Sequence, residues 1–263
     1  IRGPFSTIAT KRPGVRFTEL VPKTASWMHK AALVRTMWHE HNDHGRGTYW
    51  MVTGVPYSGG VPEVNSMSRQ DMPHIGAVLA KLAPGPGPLP AWAMVPHVAG
   101  GRRAGQFAGS LGPKYDPLLP GGNPNDDDFK LDHLPLVANE QPDALKRRLS
   151  LVDQLNAEAK PLNGLAMSGT IKDSQAKAVQ VISSDKVRKA VDLSAADPKE
   201  RERYGRNMFG QSVMLSRRLL DAGTRLVQCN WQRSQGVDGF AWDTHWNNFD
   251  AHKDYLVPPF DQA

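Results

Sequence analysis

An α/β fold is predicted by the order of elements near the end of the chain. An amphipathic helix is predicted over 208–220, and Gly223 ends it in the way that a glycine after the last helical turn does. Residues 224–231 then read as a strand, the glycine-containing loop 232–242 follows, and helical character resumes at Asp243. The succession of helix, short turn, strand, long loop and helix is typical of α/β proteins.

The other elements follow in chain order from apolar runs and from helix start and stop signals. Residues 31–37 predict a short buried strand, and residues 49–53 a short helix that Gly54 ends. Further on, the sequence predicts a helix from Asp71 to about Leu82, a strand over 91–95, a helix over 142–160 and helical segments over 173–192. Segments 53–66 and 84–124 are rich in glycine and proline, which predicts long irregular connections.

Composition and charge restrict the class of protein. The 263 residues are 40% hydrophobic and 22% charged, as in ordinary globular proteins, and contain no apolar run long enough to span a bilayer. The single cysteine, Cys229, lies in a predicted strand and excludes an intramolecular disulfide. The net charge of +6 favours anionic substrates or polymers, whereas the absence of a nucleic-acid-binding motif argues against specific nucleic-acid binding. Nothing in the sequence predicts an oligomeric state. Both ends of the chain read as cut.

A dense group of metal-ligand and proton-transfer side chains follows the first predicted strand. The run 38–44 is Trp-His-Glu-His-Asn-Asp-His, with three histidines and two carboxylates. Imidazole and carboxylate together suit zinc, iron or manganese, and histidine is the commonest general base near neutral pH. The alternative is a polar loop whose histidines cap backbone groups or face water.

Two further motifs are candidates for a site. Asp243 and His245 lie in the loop after the strand predicted over 224–231 and are spaced to reach one ion from an extended backbone, although Asp243 alone would also suit a helix N-cap. Near a helix start, Arg206 is placed to clamp a phosphate or sulfate group, while Asn207 suits a cap. Loops after strands in open α/β sheets are where ligands bind. The acidic run 125–128 lacks the spacing of a calcium loop and is predicted to be a solvated turn.

The chain resembles the domain-of-unknown-function 1501 (DUF1501) family. The resemblance is carried by Ile-Arg-Gly-Pro-Phe at 1–5, Pro-Gly at 13–14, Glu-Leu-Val-Pro at 19–22, Leu-Val-Arg-Thr-Met at 33–37, Asn-Asp-His at 42–44, Thr-Gly at 53–54, Gly-Pro-Lys-Tyr-Asp-Pro at 112–117, Tyr-Gly-Arg-Asn at 204–207, Phe-Gly-Gln at 209–211, Ala-Gly-Thr-Arg at 222–225 and Trp-Asp-Thr-His at 242–245. These stretches extend over essentially the whole sequence.

The resemblance implies an alkaline-phosphatase-like α/β fold, with a central sheet and helices on both faces. It implies one domain over 1–263, truncated at both ends, with a loop-rich and helical insertion at about 62–200. It further implies a periplasmic or secreted hydrolase of phosphate or sulfate esters, acting on a small molecule or a polysaccharide. The implied cofactor is a divalent metal ion, with zinc, manganese, calcium and iron as candidates. The alternative is a non-catalytic relative that binds an anionic polysaccharide or a cell-surface partner.

The same resemblance suggests roles for individual residues. His44 or one of its neighbours occupies the place of the sulfatase nucleophile, where neither Cys nor Ser is present in the sulfatase pattern, so formylglycine chemistry is not expected. His44 and Asp43 are the expected catalytic residues. The expected metal ligands are Asp243, His245 and His41, and the expected substrate-binding residues are Asn42, Arg206 and Asn207.

Overall fold

A computed structural model describes residues 3–60, 64–87, 89–99, 103–129, 150, 184–231 and 242–263. The helices are α1 (Pro22–Trp27), α2 (His44–Thr53), α3 (Ile75–Leu82), α4 (Asp185–Val191), α5 (Pro198–Tyr204), α6 (Met208–Asp221), α7 (Asn248–Asp250) and α8 (Val257–Gln262). A π-helical turn, Ala251–Leu256, joins α7 to α8, and short 3-10 turns lie at Met28–Lys30, Gly109–Leu111 and Pro113–Tyr115.

The strands form two small sheets among the described residues. β1 (Thr7–Ala9) pairs antiparallel with β2 (Arg16–Thr18). β3 (Trp92–Val95) pairs parallel with β4 (Leu226–Cys229), with Trp92 opposite Leu226 and Val95 opposite Cys229. Leu118 adds one bridge on the other side of β3. The architecture is therefore mixed α/β, as the element order predicts, but the described strands do not assemble into a larger central sheet.

The hydrophobic core is built on the two faces of β3, which is wholly buried. Ala93 and Val95 pack towards α4 and α6, in a cluster that includes Val187, Met214, Leu215 and Leu219. Trp92 and Met94 pack on the opposite side, against Ala77 and Ala80 of α3. Helices thus cover both faces of the parallel pair, because a continuous apolar strand has to be shielded on each side.

Several predicted elements are confirmed, although their ends differ, and the helix predicted over 49–53 begins five residues earlier, at His44. The strand predicted over 91–95, the strand within 224–231, and the helices ended by Gly54 and Gly223 are all present. Both glycines have positive φ, 75° and 112°. The helix predicted from Asp71 begins instead at Ile75, where His74 accepts a hydrogen bond from the Gly76 amide as the N-cap. The predicted helix over 142–160, most of the segment 173–192 and the loop 232–241 lie outside the described residues.

The buried strand predicted over 31–37 is wrong. These residues form neither strand nor helix, and each of them is exposed, including Leu33, Val34 and Met37. The run has the apolar composition of a buried strand, but a strand also needs a second strand to pair with, and composition does not show whether one is present. In the structure, β3 and β4 pair with each other. Among the described helices, none is long and apolar enough to cross a membrane.

Candidate functional site

The start of α2 fixes the first part of the candidate site. Asp43 is the N-cap of this helix, and its Oδ1 accepts a hydrogen bond from the Arg46 amide at 2.9 Å. That hydrogen bond, reinforced by the positive charge of Arg46, holds the pKa of Asp43 below its usual range. His44 is consequently the first residue of the helix, and its position depends on the cap.

The second part of the site is the loop before α7. Asp243 is not a helix cap, because α7 begins at Asn248 and its N-cap is Asn247, which has a left-handed backbone (φ 47°). The alternative prediction of a capping role for Asp243 is therefore wrong. The carboxylate of Asp243 is instead available to side chains.

Two imidazoles from opposite ends of the chain meet at the Asp243 carboxylate. The His44 Nε2 lies 3.0 Å from Oδ2 of Asp243, and the His245 Nε2 lies 2.9 Å from the same oxygen. All three side chains are open to solvent, with exposed fractions of 64% for His44, 52% for Asp243 and 66% for His245. We call these three residues the His–Asp–His cluster.

The electrostatics of the cluster favour a charged carboxylate. The hydrogen bond from His245 lowers the pKa of Asp243, and the charges of His245 and His44 act in the same direction. As an ionised carboxylate can only accept hydrogen bonds, both Nε2 atoms donate to it.

The described contacts of the other predicted site residues are with groups other than Asp243. The His41 ring lies 5.8 Å from the ring of Trp50 in α2, and the His39 ring lies 6.1 Å from the same Trp50 ring. Asn42 is exposed. Arg206 contacts Asp127 at 3.5 Å, and Asn207 caps α6 by accepting from the Gly210 amide at 2.9 Å.

Aromatic side chains connect the start of α6 with the cluster. The Phe209 ring lies 4.8 Å from the Trp231 ring, which in turn lies 5.2 Å from the ring of Trp242, the residue before Asp243. The region of Arg206 and Asn207 and the His–Asp–His cluster are thus joined by packed aromatic rings. The sequence analysis did not predict this packing, although Phe209 and Trp242 each lie within a motif that it identified.

Arg201 and His74 are among the buried polar residues of the described part of the chain that the sequence did not single out. Arg201 donates from Nε to Oε1 of Gln211 at 2.8 Å, in the interior of the α5–α6 junction. His74 stacks on Trp92 and hydrogen-bonds Gln228 of β4 at 2.7 Å. The sequence could have indicated these residues only as polar side chains within otherwise apolar patterns. Such a pattern does not show whether the polar side chain is buried or exposed.

The donor atoms of the His–Asp–His cluster are of the types that bind a divalent metal ion. Two imidazole nitrogens and a carboxylate oxygen are the donors that zinc, iron and manganese accept. In the part of the chain that the structure describes, no group of three or more His, Cys, Asp and Glu side chains forms a ready ligand set. In the structure, the Nε2 atoms of His44 and His245 and Oδ2 of Asp243 are occupied by hydrogen bonds to one another.

Comparison with known proteins adds one positive result. The family described as "Protein of unknown function (DUF1501)" matches residues 1–263. No curated protein and no solved structure matches the chain. The family resemblance in the sequence is thereby confirmed over the full length.

Proposed function

The chain belongs to the DUF1501 family, and we propose that it hydrolyses phosphate or sulfate esters with a divalent metal ion held by His44, Asp243 and His245. The observation that carries the proposal is the sharing of one Asp243 oxygen by two imidazoles from distant parts of the chain. A polar contact between exposed side chains contributes little to stability, so the fold has no structural need for this convergence.

Each residue of the cluster has a part in the proposal. His44 and His245 would bind the ion as neutral imidazoles in the tautomer that carries the proton on Nδ1 and leaves the Nε2 lone pair free, and Asp243 would bind it through Oδ2. A divalent ion supplies Lewis-acid activation of the ester and of water. Asp43 holds His44 at the first position of α2 through the cap. The exposed position of the cluster leaves room for a large substrate.

Three expectations from the family resemblance belong to the same proposal. The first is an alkaline-phosphatase-like arrangement, which the parallel pair β3–β4 with helices on both faces supports. The second is a periplasmic or secreted location. The third is a role for His41 as a further ligand, for which its place in the loop before α2 is the support.

The test is metal binding by the full chain and by a His245→Ala variant. We expect zinc or manganese affinity, measured by isothermal titration, to fall at least about 100-fold in the variant, because a directly bound ligand is lost. The matched control is His29→Ala, an exposed histidine whose described contacts are local, to the Ser26 carbonyl and the Trp27 ring. Equal affinity in His245→Ala and the parent chain would contradict the metal assignment.

Turnover separates the hydrolase from the non-catalytic alternative. We expect hydrolysis of 4-nitrophenyl phosphate or 4-nitrophenyl sulfate that a chelator stops and added metal restores. The basic net charge of +6 favours the alternative, in which the protein retains an anionic polysaccharide. Retention of such a polymer that survives chelation, without any ester hydrolysis, would replace the hydrolase proposal with that alternative.

A further inference from the structure

A second charged cluster lies where α5 meets α6. It consists of Arg201 in α5, Arg206 just before the N-cap of α6, and Asp127 in the acidic loop 123–128. The Arg201 side chain is only 7% exposed, that of Arg206 is 36% exposed, and that of Asp127 is 91% exposed. A nearly buried guanidinium therefore lies beneath a half-buried one and a fully hydrated carboxylate.

Neutral groups hold the Arg201 guanidinium in place. Its Nε donates to Oε1 of Gln211 at 2.8 Å, and a terminal nitrogen lies 3.4 and 3.3 Å from the carbonyl oxygens of Pro124 and Asn125. Gln211 is itself fully buried, and its amide donates to the carbonyls of Arg201 and Gly205. The guanidinium is thus rigidly positioned, but these partners leave its charge uncompensated.

Asp127 is a loose partner for both arginines. Its Oδ1 lies 3.9 Å from Arg201 and 3.5 Å from Arg206, whereas charge-assisted hydrogen bonds measure about 2.7–2.9 Å. Other arginines of this protein do reach that range. Arg69 binds Asp116 at 2.8 and 2.6 Å, and Arg217 binds Glu200 at 2.7 Å. Two guanidiniums therefore share one carboxylate oxygen, and neither forms a close ion pair with it.

We propose that Arg201 and Arg206 form a binding site for a sulfate- or phosphate-type oxyanion, which displaces the Asp127 carboxylate. A tetrahedral oxyanion presents three or four oxygens, enough to meet two planar guanidiniums at once. Burial of Arg201 lowers the local dielectric and strengthens the contact with a close anion. Binding at this site needs neither the metal ion nor the reaction proposed for the His–Asp–His cluster.

The acidic loop opposes anion binding and so sets the expected affinity. Asp126 accepts a hydrogen bond from Asn123 within the loop, and Asp128 follows Asp127 directly. Three consecutive carboxylates repel an incoming anion, so we expect weak binding in the parent chain. Removal of the Asp127 charge both frees the two guanidiniums and relieves part of this repulsion.

The test is isothermal titration calorimetry of the full chain with inorganic sulfate at low ionic strength. We expect Arg206→Gln to weaken sulfate binding at least about tenfold, and Asp127→Asn to strengthen it by a similar factor. Each variant has a matched control with the same change of charge nearby. These controls are Arg203→Gln, whose exposed guanidinium lies over the Tyr204 ring, and Asp128→Asn; we expect both to stay within about twofold of the parent chain.

Two results would overturn the proposal. One is equal sulfate affinity in Arg206→Gln and in the parent chain. The other is an equal gain in Asp127→Asn and Asp128→Asn, which would reduce the effect to general charge. Parallel titration with a sulfated monosaccharide separates a sulfate ester from the free ion as the ligand. If the site binds esters, Arg206→Gln weakens the binding of both the monosaccharide and inorganic sulfate; if it binds the free ion alone, only the binding of inorganic sulfate is weakened. Sulfate binding that persists in His245→Ala keeps this result independent of the metal proposal.

Discussion

At the scale of single residues, His74 shows how neighbours fix the chemistry of a side chain. Its Nδ1 accepts from the Gly76 amide at 2.9 Å, so Nε2 carries the proton and donates to Oε1 of Gln228 at 2.7 Å. The ring stacks on Trp92 with 4.3 Å between centroids. Burial lowers the pKa of His74 to about 4. Every polar atom of the neutral ring is satisfied, so protonation would disrupt the arrangement.

The His74 pKa predicts a loss of stability in acid. The pKa is about 4 in the folded chain against 6.5 as the ordinary value, so the unfolded chain takes up the proton first as the pH falls. The stabilisation is complete above pH 6.5 and decreases towards pH 4, by about 3 kcal/mol in total. We expect His74→Asn, which keeps a capping side chain, to flatten urea-denaturation free energies over this pH range.

The control for that measurement is His29→Asn, in which the replaced histidine is exposed. Its free energy of unfolding should keep the pH slope of the parent chain. An identical slope in His74→Asn and the parent chain between pH 6.5 and 5 would show that His74 is not the source of the acid sensitivity.

At the scale of elements, helix α2 connects local sequence signals to the candidate site. Asp43 caps its start and Gly54 ends it, and both signals were readable from the sequence. The cap makes His44 the first helical residue and thereby aims it towards Asp243. A carboxylate that the sequence suggested for catalysis thus has a clear structural task, and its catalytic role stays a prediction.

Substitution of Asp43 separates the two roles. We expect Asp43→Ala to destabilise the chain by about 1 kcal/mol and to weaken metal binding, because the helix start and His44 lose their anchor. Asp43→Ser supplies another capping oxygen and should restore both, as measured by urea denaturation and metal titration. Ester hydrolysis that is lost in Asp43→Ser, with metal affinity intact, would instead indicate a catalytic carboxylate.

The packing of α3 on β3 gives a second prediction at this scale. A Cβ on Gly76 would lie 2.4 Å from atoms of the Trp92 indole, which is completely buried. Gly76→Ala should therefore destabilise the protein by about 1–3 kcal/mol, despite the higher helix propensity of alanine. Gly87→Ala, where a Cβ meets no atom within 4 Å, is the matched control in thermal denaturation. A Gly76→Ala variant as stable as the parent chain would show that the two elements separate easily.

The helix ends at Gly54 and Gly223 and the strands β3 and β4 were predictable from the sequence, whereas β1, β2 and contacts between distant residues were not. Asn207, Gly54 and Gly223 act locally, so their neighbours in sequence determine their roles. The run 31–37 was misassigned because strand formation depends on a partner that the run itself does not encode. The close approach of His44 to Asp243 likewise depends on the path of the whole chain, although each of the two motifs was identifiable alone.

At the scale of the whole molecule, the fold brings the beginning and the end of the chain together at several places. Asp261 in α8 accepts from the amides of Lys23 and Thr24 in α1, at 2.9 and 2.7 Å. Asp243 accepts from His44, as described above. The first of these contacts ties α8 to the early part of the chain and so limits the freedom of the segment that carries Asp243 and His245. The His–Asp–His cluster is in this sense a product of the tertiary fold.

The central claim is that this cluster binds a divalent metal ion, and X-ray absorption spectroscopy of the zinc-loaded chain tests it most directly. We predict nitrogen and oxygen ligands at about 2.0–2.1 Å, with outer-shell scattering from at least two imidazoles. The imidazole contribution should decrease by one in both His44→Ala and His245→Ala. A spectrum without imidazole scattering, or one that is the same in the parent chain and both variants, would contradict the claim.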